Sequence, residues 1–123
     1  LPGLSTTINV PAGSVILLTT EGAVQTTSTA ATGFSIVDIA LAIDNSIPQD
    51  GGYQRVIVAN SPGLNQIFES WKISLVVSVP AGMHTFAVAA LGNAVPAGSA
   101  DATVGGASGD TRQGSLSAVV IKQ

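Results

Sequence analysis

Few residues in this chain could do chemistry, and the only histidine, His84, stands apart from the rest. It lies in SVPAGMHTFAVAA, two residues after a Pro-Ala-Gly turn, where an apolar run begins. A serine hydrolase needs a histidine, a carboxylate to orient it and an activated serine. His84 is the only such base, and no Gly-x-Ser-x-Gly elbow accompanies it. As a metal ligand it would need Asp or Glu partners, because the chain has no cysteine and no second histidine. The absence of cysteine also removes thiol nucleophiles and disulfides. The sequence therefore predicts no catalytic residue, no metal and no cofactor. A hydrolase is the remotest reading, and His84 is expected to be a polar contact near a subunit boundary.

Asp38 and Asp44 fall on one face of a predicted strand, six residues apart. At about 3.3 Å per residue they are separated by roughly 20 Å, too far for two carboxylates to share one glycosidic bond. Asp38 sits between Ile36 and Ala40 on an otherwise apolar face. An ion pair with Arg55 or Arg112, within or between subunits, is expected of it. The loop GGASGDTRQG has neither the Asp spacing of a calcium loop nor the Gly-Lys-Ser/Thr of a phosphate loop. Trp71 is in phase with core residues. Tyr53, Arg55 and Arg112 are left as the candidate ligand-binding residues, with carbohydrate as the ligand class.

The charge balance narrows the partners. Four Lys and Arg stand against seven Asp and Glu, for a net charge of -3, so nucleic acid is not expected. Only 9% of residues are charged, where about 25% is usual. No apolar run nears the roughly 18 residues of a spanning helix, so no membrane insertion is expected. A surface so poor in charge is poorly protected against sticking, which favours burial against other chains. An extracellular or particle-surface location suits this composition. The opening LPGLSTTINVPAG has no basic start or apolar core of a secretory leader.

The elements that must position these residues all read as strand and turn. FSIVDIALAID, residues 34 to 44, alternates Val37, Ile39, Leu41 and Ile43 with Ile36, Asp38, Ala40 and Ala42. YQRVIVAN (53 to 60), WKISLVVSV (71 to 79), MHTFAVAAL (83 to 91) and SLSAVVIK (115 to 122) follow the same logic. A short strand near 102 to 104 and one or two between 14 and 27 complete the set; a helical turn is plausible only at ESWKI. Val-Pro-Ala-Gly recurs at Val10, Val79 and Val95 at unequal spacing, a reused connector rather than a solenoid repeat. Residues 1 to 123 are thus expected to form a single all-β domain, a two-sheet antiparallel jelly-roll sandwich of about 8 to 10 strands.

Two strands are apolar on both sides. In the last, Leu116, Ala118 and Val120 oppose Val119 and Ile121; in HTFAVAA, Phe86 and Val88 oppose Ala87 and Ala89. A sandwich strand normally keeps one wet face. Phe86, Val88, Leu116, Ala118 and Val120 are therefore the expected subunit-interface residues. The rival reading is a central strand covered by a loop.

GFSIVDIALAIDN, VPAGMHTFAVAALG and GSLSAVVIKQ resemble the tumour-necrosis-factor and complement globular-head superfamily, in a bacterial or phage surface-module form. The resemblance implies a ten-strand jelly roll and a homotrimer whose central strands, including the last, face the axis. The function expected is a non-enzymatic trimeric surface or particle module for assembly and adhesion, binding glycan at subunit boundaries. A monomeric β-sandwich accessory domain of a larger enzyme or fibre is the alternative.

Overall fold

In the computed structural model the organising strand is Phe34–Ile43, at the middle of a four-stranded antiparallel sheet. Eight strands run in the order β1 (Ser5–Val10), β2 (Ser14–Thr26), β3 (Phe34–Ile43), β4 (Tyr53–Ala59), β5 (Phe68–Val77), β6 (Gly82–Gly92), β7 (Ala102–Val104) and β8 (Ser115–Lys122). The structure describes residues 1 to 93, 97 to 105 and 111 to 123. Half of the loop at 105 to 114 and the start of the third Val-Pro-Ala-Gly copy lie outside the described residues.

The first sheet has the order β1-β6-β3-β4. In the second, β2 is flanked by β5 on one side and by β8 and then β7 on the other. The pairs nest, with β3 on β4, β2 on β5 and β1 on β6. All named pairs are antiparallel, and the molecule is an all-β sandwich. The last strand, expected at the centre, lies instead at an edge of the second sheet, where β2 is its one ladder partner among the described residues.

Side-chain alternation builds the core between the sheets. Val37, Ile39 and Leu41 of β3 meet Val56 and Val58 of β4 and Phe86 and Val88 of β6. Ile16, Leu18 and Val24 of β2, with Trp71 and Ile73 of β5, close it from the other side. Trp71 is nearly inaccessible and donates its indole N–H to Thr20 Oγ1 at 3.1 Å. Thr20 in turn donates to the Ser115 carbonyl at 2.7 Å. Gly22 lies opposite Trp71 in the ladder, and a Cβ there would overlap the indole ring.

Several local expectations change. STTINV forms β1, which the alternation of small polar residues had concealed. Of the one or two strands expected between 14 and 27, one forms, over Ser14–Thr26; Glu69–Ser70–Trp71 are extended, so no helical turn forms at ESWKI. The connector reading gains a physical basis in its glycines. Gly13, Gly82 and Gly98 adopt φ of 72°, 133° and 94°, a region costly for side chains bearing Cβ.

Candidate functional site

β3 carries the first candidate. Its inward residues belong to the core, yet its outward residues Ile36, Asp38 and Ala40 are only 7%, 7% and 3% exposed. Their cover comes from the flanking strands, because residues directly opposite in a ladder share a face. Ile36 faces Ile57, Asp38 faces Arg55 and Leu91, and Ala40 faces Tyr53 and Ala89. Ile57, Leu91 and Tyr53 are themselves more than half exposed. The outer face of the first sheet is thus a platform of aliphatic and small residues around one ion pair.

That pair is bidentate: Arg55 donates from Nε to Asp38 Oδ1 at 2.7 Å and from Nη2 to Oδ2 at 2.8 Å. The Arg55 hydrogen bond, aided by its charge and by Asn93, holds the Asp38 carboxyl below the ordinary carboxylate value; partial burial opposes this. The same hydrogen bond raises Arg55. The fork geometry fixes the guanidinium plane against the sheet. Of the two arginines the sequence offers Asp38, the structure selects Arg55 in the same chain. Arg112 instead donates to Gln25 of β2, in the other sheet, at 2.8 Å. Tyr53 and Arg55 therefore share a face that Arg112 does not join.

His84 forms the second candidate. Its Nδ1 lies 2.7 Å from Asp44 Oδ2 and its Nε2 lies 2.8 Å from the Pro80 carbonyl. Both partners can only accept, so the imidazole satisfies both when each nitrogen carries a proton. The Asp44 hydrogen bond, followed by that to Pro80, raises the His84 pKa above its ordinary value, and His84 with the Thr85 amide lowers Asp44. Asp44 and Asn45 have φ of 50° and 66°, and Thr85 N–H binds Asp44 Oδ1 at 2.9 Å. The pair therefore clamps the turn after β3 to the start of β6 and to the Pro80 connector. With both nitrogens engaged, neither is left to take a proton from a substrate. The expected polar contact of His84 is a hydrogen bond to Asp44 inside one chain.

The expected interface residues divide. Phe86 and Val88 are at 0% and 1% exposure in the core of the single chain, so they cannot line a subunit boundary. Leu116, Ala118 and Val120 also turn inward, half-buried against the core. The outward residues of β8 are Val119 and Ile121, about half exposed. Sequence reasoning identified two apolar faces on these strands but could not say which one the sandwich consumes. Leu91 and Ile57 were missed because each alone reads as an ordinary strand residue.

A cleft of about 590 Å³ opens beside β3 and β6, lined by Ile36, Asn93, Ser99, Asp101 and Val104 among others. Tyr53 and Arg55 do not line it. No group of three or more metal-ligating side chains occurs among the described residues. No helix among them is long and apolar enough to cross a membrane. Comparison with family models, curated proteins and solved structures finds no match.

Proposed function

We propose that the chain is a non-enzymatic homotrimeric module of a cell or particle surface, assembling through the outer face of the β1-β6-β3-β4 sheet. The observation that carries this reading is that face itself. Ile57 and Leu91 stand exposed around nearly buried Ile36, Asp38 and Ala40. Ala40, Ala87 and Ala89 permit close approach, and the Asp38–Arg55 pair brings no net charge. Exposed apolar patches of this kind mark association surfaces on soluble proteins. The threefold order follows the resemblance in strand pattern. Glycan binding is assigned to Tyr53 beside the fixed Arg55 guanidinium, at the rim of the assembly, where an aromatic face can stack on a sugar ring.

Leu91→Asp tests the assembly. Leu91 is 64% exposed, so the change opens no core cavity. Size-exclusion chromatography with circular dichroism should show an unchanged fold and a fall to single-chain size. Retention of the wild-type size by both Leu91→Asp and Ile57→Asp would overturn the assignment of this face. A glycan array compared between wild type and Tyr53→Ala tests the ligand.

A further inference from the structure

We propose that the free edge of β8 is a second self-association surface, on which β8 of another copy adds antiparallel across a twofold axis. This surface is separate from the face of the first sheet and stands without it.

The edge follows from the ladder. β8 pairs with β2 from Ser14↔Lys122 to Glu21↔Ser115 and with no other strand among the described residues. The Gln123 amide binds the Gly13 carbonyl at 3.1 Å, in the same register. Hydrogen-bonded pairs alternate along an antiparallel ladder. Ile121, Val119, Ser117 and Ser115 therefore spend their backbone groups on β2. Leu116, Ala118, Val120 and Lys122 turn theirs to the open side.

The edges at β5, β4 and β1 are guarded in ways this one is not. β5 carries Glu69 and Lys72, and the Lys72 amide is already bound by Gln54 Oε1 at 3.0 Å. β4 carries Arg55. β1 is short, points Ser5, Thr7 and Asn9 outward, and runs into Pro11. β8 has no proline and no charge before Lys122. Native edges usually carry such protection, and an unguarded apolar edge is a template for another strand.

A second copy is the occupant the chemistry fits. The backbone parity allows β8 to pair with itself only when open-edge residues meet open-edge residues. The register using the whole strand sets Leu116 against Lys122 of the second copy and Ala118 against Val120. Val119 then faces Val119 across the axis. The two Lys122 charges fall about 20 Å apart, beyond the roughly 8 Å screening length. The register also joins two outward apolar patches. In each copy Leu17 lies between Val76 and Val119, next to the pair Val15↔Ile121. The Val119 patches of the two copies become continuous at the axis.

The test uses engineered cysteines in the full chain, which has none of its own. Val119 occupies a position without ladder hydrogen bonds at the axis, where the Cα atoms are about 4.5 Å apart, within disulfide reach. Under mild oxidation Val119→Cys should form a covalent dimer about tenfold faster than Val76→Cys, which is the more exposed of the two and lies on the far strand. Ile121→Cys alone should remain uncrosslinked, yet crosslink when mixed with Ser117→Cys. The Val119→Cys dimer should persist when Leu91→Asp is added, separating this surface from the first. Equal rates for Val119→Cys and Val76→Cys would overturn the proposal. So would rapid crosslinking of Ile121→Cys alone, or a purified Val119→Cys protein that stays monomeric, the outcome expected if the edge serves a strand of another protein.

Discussion

Replacing Thr20 with valine removes one hydroxyl between the second sheet and its only tryptophan. The hydroxyl accepts from Trp71 Nε1 at 3.1 Å and donates to the Ser115 carbonyl at 2.7 Å, and both side chains are buried. The Ser115 carbonyl keeps its place in the ladder opposite Glu21. The indole N–H has no such recourse. A buried donor left without a partner costs about 1–3 kcal/mol, so Thr20→Val should destabilise by about 2 kcal/mol. With a urea dependence of about 1–3 kcal/mol per molar for a small protein, the midpoint should fall by about 1 M. Trp71 fluorescence follows the transition at one fixed chain concentration, because association would otherwise shift it. Thr19→Val is the control: its hydroxyl meets Ser74 at the surface, and its change should stay within about 0.5 kcal/mol. In a Trp71→Phe background the penalty of Thr20→Val should shrink, since no indole N–H remains to be orphaned. A full-size penalty in that background, or none in the wild type, would refute the hydrogen-bond account.

Three further outcomes follow from the same geometry. His84 should titrate above 6.5 by NMR, and Asp44→Asn should lower that value; a wild-type midpoint at or below 6.5 would contradict the clamp. The raised His84 contributes stability that is complete below 6.5 and lost as pH rises through its folded value. The lowered Asp44 contributes stability present above 3.8 and lost as pH falls through its own. The clamp therefore acts fully between those two values, and thermal scans across pH should show the decline on both sides. Gly13→Ala should cost about 1–2 kcal/mol from backbone strain alone, because nothing lies within 4 Å of the new Cβ; an unchanged melting curve would remove the reason for glycine in the connector. Phe86→Ala should cost about 3–5 kcal/mol as a core cavity, measured as loss of the native transition. A stable variant with altered oligomer size would instead return Phe86 to an interface.

Much of the architecture was legible because period-two patterns are strong in β3 and β5. The glycine of Val-Pro-Ala-Gly likewise announces a reversal. β1 was hidden because Ser5, Thr7 and Asn9 face water and only Ile8 and Val10 carry the apolar phase. Asp38 was legible as an ion-pair member, because a carboxylate among Ile36 and Ala40 needs a cation. Its choice of Arg55 depends on the β3–β4 register, which the intervening loop does not reveal. The His84–Asp44 clamp was not foreseen. The two residues are distant in sequence, and β6 meets the end of β3 only after the chain has crossed to the other sheet and back. For Phe86 and Val88 the apolar type was read correctly, but which side of the strand the core takes depends on tertiary packing.

Light scattering on the unmodified chain in dilute solution tests the central claim most directly. Assembly through the face of the first sheet predicts a particle of about three times the 12.2 kDa chain mass, or a multiple of that trimer where β8 edges also join. A particle of 12.2 kDa that persists as concentration rises would contradict it.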